Sequence, residues 1–256
     1  AERQAYDRTA ATKGGWRGER AFVVEDKVAE SAEITSFYLV PADGGPVIAH
    51  QPGQYIGLRL VVDGQEQRRN YSLSAPADGR SLRISVKREA GGKVSNFLHD
   101  QVQVGDTLQL FPPAGHFTLQ PGERPLVLIS GGVGITPMMA MLDRLVASAP
   151  SRPVQFVHAC RNAGVFAFGA HLAKVAERNA QVKMHLFHDE GPVAAPVQSG
   201  RVDLRALAGE VLAPGADYYL CGPVGFLEAQ IATLHELGVE SARIHAEVFD
   251  TGGIAT

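Results

Sequence analysis

The sequence predicts a two-domain protein: an all-β antiparallel domain, barrel or sandwich, followed by an α/β domain built on a parallel sheet. Three observations predict it. The 256 residues exceed what one hydrophobic core usually covers. From Arg20 to about Phe117, apolar and polar residues alternate in short stretches separated by Gly, Pro and Asp. Past Pro121, continuous apolar runs alternate with stretches of helical spacing.

Composition narrows the class. With 45% hydrophobic and 20% charged residues and a formal net charge of -3, the chain reads as an ordinary globular protein, not a disordered one. Twenty-four Lys and Arg against 27 Asp and Glu, with no basic block, leave no electrostatic footprint for nucleic acid. No run of about 18 uncharged apolar residues exists, so no transmembrane segment is expected. Cys160 and Cys221 stand alone, without a CxxC or paired His ligands. That argues against a zinc ribbon, an iron-sulfur site or a disulfide scaffold, and a reducing cytoplasm fits best.

Residues 1–13, AERQAYDRTAATK, are polar helix formers, and Gly14 to Gly18, GGWRG, then break the pattern, so 1–19 reads as the end of a helix and a linker. The chain opens on Ala1 with a charged stretch, a start that a cleaved signal peptide or a cut from a longer polypeptide would leave. The first domain spans 20–120. Its clearest strands are 34–39, 55–60 and 82–87, with a short helix near Val94 to Gln101 after the turn Gly91-Gly92. The boundary falls in QPGER, Gln120 to Arg124, and 121–256 form the second domain. There the strands are 126–129, 154–157, 182–186 and 218–221. Helices are expected over 137–147, 167–178 and 225–237, on both faces of the sheet. His185 and His188, three apart on a strand, face opposite sides, and no metal site is expected.

Five segments carry candidate chemistry. Arg69-Asn70-Tyr71-Ser72 offers a guanidinium for a phosphate, an aromatic for a planar ring and a hydroxyl for a ring nitrogen, or is simply a polar strand. Gly91-Gly92-Lys93-Val94-Ser95 runs into a helix, where backbone N–H groups and the helix dipole favour an anion; the bland alternative is a hairpin turn with Ser95 as cap. Gly131-Gly132-Val133-Gly134-Ile135-Thr136-Pro137 joins a buried strand to a helix with Pro in its first turn. Its glycines admit a pyrophosphate to the backbone, but it is not a GxGxxG fingerprint, and a plain β-α turn is the alternative. Cys221-Gly222-Pro223 makes a tight turn at a strand's carboxyl end, where open α/β sheets bind ligands. Glu247-Val248-Phe249 adds a carboxylate beside a terminal aromatic, outside any helix.

RNYS, GGKVS, GGVGITP, CGP and a terminal EVF, in that order over Arg20 to Asp250, resemble the ferredoxin reductase-like flavoenzyme superfamily. The resemblance implies an α+β two-domain protein, an antiparallel Greek-key β-barrel that binds FAD and a doubly wound α/β parallel sheet that binds NAD(P)H. It implies that Tyr55, Arg69, Asn70, Tyr71 and Ser72 hold the flavin, with Tyr71 on its ring, Arg69 on its phosphate and Ser72 near N5. Gly92, Val94 and Ser95 would receive the pyrophosphate, and Gly131, Gly132, Val133, Gly134, Ile135, Thr136 and Pro137 the nicotinamide nucleotide. Cys221, Gly222, Pro223 and Phe226 would lie beside the nicotinamide. Val248 and Phe249 would cover the flavin, with Glu247 tuning its potential and protons; Ser72, Glu247 and Cys221 are thus the catalytic candidates.

Tyr6 to Phe22 is similar to the junction between globin and reductase in flavohaemoglobins. This implies a globin haem domain N-terminal in the same polypeptide, NADH as the preferred electron source with NADPH open, and single-electron delivery to haem for nitric oxide dioxygenation. Alternatives are the reductase of an oxygenase, a free-standing flavin reductase, or a non-catalytic nucleotide-binding module.

Overall fold

The computed structural model describes residues 12–249. The chain divides into two compact units between Leu119 and Gln120.

The first unit holds strands β1 (Arg20–Ala29), β2 (Ile34–Pro41), β3 (Tyr55–Val62), β4 (Gln65–Ser72), β5 (Leu82–Lys87) and β6 (Thr107–Leu110), with helix α1 (Lys93–Asp100) before β6. The strands pair antiparallel in the order β4-β3-β6-β1-β2-β5. Alternate residues point inward, so Ile56, Leu58, Leu60 and Val62 of β3 are buried with Phe22, Val24, Phe37 and Leu39 in one core. The sheet closes on itself where the chain leaves β4: Leu73 bridges Ile84, and the Ser74 N–H donates to the Arg83 carbonyl (2.9 Å). The result is the Greek-key barrel that the resemblance implies. Asp63-Gly64, both at positive φ (52° and 73°), form the two-residue turn between β3 and β4.

The expected helical end over 1–13 falls mostly on residues 1–11, outside the described residues, and Thr12 and Lys13 lie in a bend and turn. Gly14 to Gly18, expected as a linker, is instead folded onto the barrel. Trp16 is buried in the barrel core, lies 5.4 Å from Phe22 with the rings tilted at 52°, and its Nε1 donates to the Leu110 carbonyl (3.0 Å). Gly14, at φ +78°, lies so close to the Val47 backbone that a Cβ would approach it to 2.6 Å. The indole supplies the reason: its apolar area is best buried, and its one donor finds a strand carbonyl.

The second unit contains β7 (Leu126–Gly131), α2 (Ile135–Ser148), β8 (Val154–Cys160), α3 (Gly169–Arg178), β9 (Val182–His188), β10 (Val197–Ser199), α4 (Ala208–Val211), β11 (Asp217–Gly222), α5 (Val224–Glu236) and β12 (Ile244–Val248). Every neighbouring pair is parallel, in the order β10-β9-β8-β7-β11-β12. Val127, Ile129, Tyr218 and Leu220 bury one face against Leu227 and Leu234 of α5. Leu126 and Leu128 point to the opposite face and are equally buried, and α2 packs on β7 and β11. Strands covered on both faces read as continuous apolar runs, which is why β7 was legible. The helices begin up to two residues away from the expected limits: α2 at Ile135, α3 at Gly169 and α5 at Val224. QPGER is fastened to this unit: the Gln120 N–H donates to the Tyr219 hydroxyl (2.9 Å) and Arg152 Nε to the Arg124 carbonyl (2.6 Å).

Candidate functional site

In the barrel unit, the candidate residues cluster at the end of β4 and the start of α1. Tyr55 pairs with Ser72 across β3 and β4 and bridges Ala114 through two backbone bonds of 2.9 Å. Gly115, at φ +106°, lies beneath the Tyr55 ring, where a Cβ would come within 3.0 Å of its carbons. Along β4, Asn70 is exposed, Arg69 and Tyr71 are half-buried and Ser72 is buried. Tyr71 rests on the barrel core, and burial pushes its phenol above the usual tyrosine range. Arg69 spends one N–H on its neighbour's carbonyl, Arg68 O (2.7 Å), and keeps the rest of its fork exposed.

Behind Ser72 lies a group of residues that sequence reasoning missed. Ser74 Oγ and Ser36 Oγ each bond Ser85 Oγ at 2.7 Å, and all three side chains are buried. Arg83 clasps Ser74, donating from Nε to its hydroxyl (3.0 Å) and from NH2 to its carbonyl. The available signal was the period-two step from Ser72 to Ser74.

Gly92 caps α1 with ordinary φ (-72°) and no side-chain cap, and the first turn holds no acidic residue. Ser95 is not the cap. Its hydroxyl donates back to the Gly92 carbonyl (3.2 Å) and accepts from the Glu89 N–H (3.1 Å), tightening the glycine turn. Val94 and Ser95 are buried, while Lys93 is exposed at the helix start, a cation at the positive end of the helix dipole. A bound anion would relieve that conflict.

In the second unit, strand order reverses between β7 and β11, the switch point at which doubly wound sheets open a crevice beyond the strands' carboxyl ends. Gly131 ends β7 and Gly222 ends β11, so near one another that a Cβ on Gly222 would lie 3.2 Å from Gly131 N and O and 3.1 Å from the Phe226 ring. A Cβ on Gly134 would lie 2.1 Å from the Cys221 carbonyl oxygen. Of GGVGITP, Gly131, Gly134, Ile135, Thr136 and Pro137 are buried, and only Gly132 and Val133 reach the surface. The Thr136 hydroxyl is turned inward to the Val133 carbonyl (3.0 Å). Gly132 sits at φ +54° with open space where its Cβ would be, and α2 has no side-chain cap.

Cys221 is fully buried, and burial, then nearby Glu247, pushes its thiol well up, so it stays protonated. Pro223 is exposed and Phe226 half-buried. Glu247 lies on β12 in register with Cys221, and the Phe249 N–H continues the pairing to the Gly222 carbonyl (3.0 Å). Among the described residues, Glu247 Oε2 is buried with no hydrogen-bond partner, and burial pushes the carboxyl up to about 7. Val248 is exposed and Phe249 half-buried. Ser130, one residue before the turn, bonds His158 Nδ1 (2.9 Å) in a fully buried pair, and burial drives that imidazole down to about 3.

These features fit two nucleotides. The barrel offers an aromatic, a guanidinium and a helix start without a side-chain cap; the sheet offers a glycine turn open at Gly132 and, among the described residues, a carboxylate oxygen buried without a partner.

Two families match the chain: the Oxidoreductase FAD-binding domain over residues 21–119 and the Oxidoreductase NAD-binding domain over 128–231. The Flavohemoprotein of Bordetella pertussis is 50% identical over 99% of this chain and 66% of its own length. That of Pseudomonas aeruginosa is 50% identical over 97% of this chain and 63% of its own. The chain therefore spans just under two thirds of the length of these curated relatives. A crystal structure of the flavohem-like FAD/NAD-binding domain of nitric oxide dioxygenase from Vibrio cholerae aligns with a TM-score of 0.84 and 42% identity. It covers 93% of this chain and 99% of that one.

Proposed function

Because the chain belongs to the flavohaemoprotein family, with FAD- and NAD-binding oxidoreductase domains, we propose that it is the reductase portion of a nitric oxide dioxygenase, oxidising NADH and passing single electrons to a haem. A globin domain N-terminal in the same polypeptide would hold that haem, and the cytoplasm is its proposed location. Among the described residues, no helix is long and apolar enough to cross a membrane.

FAD, when bound, supplies the exchange between a two-electron hydride donor and one-electron acceptors. The chain's residues bind, orient and shield. Tyr71 and Tyr55 would flank the flavin ring, with Asn70 beside them, and Arg69 and the N–H groups of Gly92, Val94 and Ser95 would take its phosphates. Ser72 would offer its hydroxyl near N5. Gly132 and Val133 would meet NADH, and buried Gly131, Gly134, Ile135, Thr136 and Pro137 hold them in place. Gly222, Pro223 and Phe226 would wall the nicotinamide, with Cys221 as the inert floor. Val248 and Phe249 would cover the flavin and exclude water. Glu247 would hold or release a proton near neutral pH. Asp189 and Glu190, exposed beyond β9 and running beside Arg161 through the Glu190 N–H to the Arg161 carbonyl (2.7 Å), would oppose a 2′-phosphate and favour NADH.

The observation that carries this reading is the reversal of strand order between β7 and β11, with a glycine turn open at Gly132 and, among the described residues, a buried Glu247 Oε2 without a partner, in a chain that aligns with 99% of the Vibrio FAD/NAD-binding domain. Anaerobic stopped-flow mixing of the FAD-loaded protein with NADH tests it. Bleaching far faster than free flavin with NADH is expected; a rate no faster would leave a nucleotide-binding module. Reduction of an added ferric globin domain then separates this reading from a free-standing flavin reductase.

A further inference from the structure

The start of α1 is an expected cofactor contact, tied only to its own approach loop, by Ser95 on Gly92 and Glu89 and by Asn96 Nδ2 on the Glu89 carbonyl (3.2 Å), among the bonds of the described residues. It has eight residues, a length at which an isolated helix is marginal. At the opposite end, one cation makes the most bonds. Lys27 of β1 reaches under the helix, and its Nζ donates to the carbonyls of His99 (2.7 Å), Val102 (2.8 Å) and Leu98 (3.3 Å). These include carbonyls of the last helical turn, which lack partners within the helix. The ammonium also lies 5.4 Å from the centre of the Phe37 ring, itself fully buried in the barrel core. Lys27 thus joins β1, the barrel core and the carboxyl end of α1 through one side chain. His99 adds a second tie, from Nε2 to the Val86 carbonyl (2.8 Å), and Arg88 pairs with Asp100 on the outer surface.

We propose that Lys27 is a positioning residue for the FAD diphosphate, setting from the far end of α1 the depth and tilt at which the helix presents its first N–H groups. This rests on the FAD reading above. An ammonium with three N–H donors satisfies three carbonyls at once, so the helix cannot slide along β1 without losing charge-assisted bonds. The same positive charge complements the negative end of the helix dipole. The exposed Lys93 at the other end is the counterpart: the helix is built to hold an anion in front and is fixed by a cation behind.

The test compares two flavins on the apoprotein of the full chain, by quenching of flavin fluorescence well below the melting temperature. FAD carries the diphosphate and riboflavin does not. Lys27→Met is expected to weaken FAD binding five- to tenfold, up to about 1.4 kcal/mol, and to leave riboflavin affinity within twofold. Lys27→Arg, whose fork also reaches several acceptors, is expected to keep FAD affinity within twofold. Equal losses for both flavins would mean general loosening of the barrel and would overturn the proposal, as would unchanged FAD affinity. If Lys27→Met fails to fold, Lys27→Gln carries the same comparison with an expected two- to threefold loss for FAD alone. An unsubstituted protein that binds riboflavin but gains nothing from the rest of FAD would overturn the proposed FAD site, and this inference with it.

Discussion

The two glycine turns from which helices start, Gly91-Gly92 before α1 and Gly131 to Gly134 before α2, serve the same expected purpose and are held by opposite means. Around α1, side chains do the holding: Ser95 on Gly92 and Glu89, Lys27 on the last carbonyls, His99 on β5. Around α2 the absence of side chains does it, because Gly134 lies against the Cys221 carbonyl and Gly131 against Gly222 and Phe226. The first turn should therefore tolerate an added methyl and suffer from lost hydrogen bonds. The second should show the reverse.

The largest effect is expected for Gly134→Ala. The φ of Gly134 is ordinary (-59°), so the penalty is purely steric, a Cβ at 2.1 Å from a backbone oxygen that cannot rotate away. A loss of about 3 kcal/mol or more, read by urea denaturation, is expected together with loss of NADH oxidation; a change within experimental error would break the contrast. Next comes Arg83→Met, which strips two donors from buried Ser74 at the barrel seam. About 2 kcal/mol should be lost, with faster amide exchange at Leu73 and Ser74 than elsewhere in the barrel.

Glu247→Gln sharpens the comparison through pH. Below about pH 4.3, the ordinary glutamate value, the folded and unfolded chains both hold the Glu247 proton. Between there and about 7 only the folded chain does, so this group's contribution to stability falls as pH rises across that window and levels off above it. The swing should be about 1 kcal/mol after allowance for partial exposure, and melting curves of Glu247→Gln should lack it. The smallest effect is expected for Gly92→Ala. Its Cβ would meet the Ser95 hydroxyl (2.5 Å), which can rotate at the expense of its bonds to Gly92 and Glu89, and would touch the Glu89 Cβ (3.0 Å) and carbonyl oxygen (3.3 Å), while φ is already suitable. Stability should fall by less than about 1 kcal/mol, while a loss as large as that of Gly134→Ala would erase the distinction between the turns.

What the sequence made legible follows the same division. Period-two alternation gave β2, β3 and β5, and the continuous run of β7 ahead of a glycine turn gave the switch-point helix, because both signals are local. Which members of GGVGITP reach the surface was not legible. Gly134 lies against Cys221 and Gly222 of β11, and Gly131 against Phe226 of α5, elements that arrive far later in the chain. Trp16 was misjudged for the same reason: inside a glycine-rich stretch it resembles linker, and its partner Leu110 is remote. The short edge strand β10 carries no apolar run and so no local signal, whereas Asp63-Gly64 is a local hairpin signal.

The strand order of the second sheet also dictates a sequence of events during synthesis. The barrel is complete once β6 has emerged, but β7 waits with one edge unpaired while β8, β9 and β10 are laid down on its other side. Until β11 arrives, the nascent chain exposes a strand of six residues that are all buried in the finished protein, an open template for pairing with a neighbouring chain. Chains halted before Asp217 should accordingly aggregate, even with a correctly formed barrel.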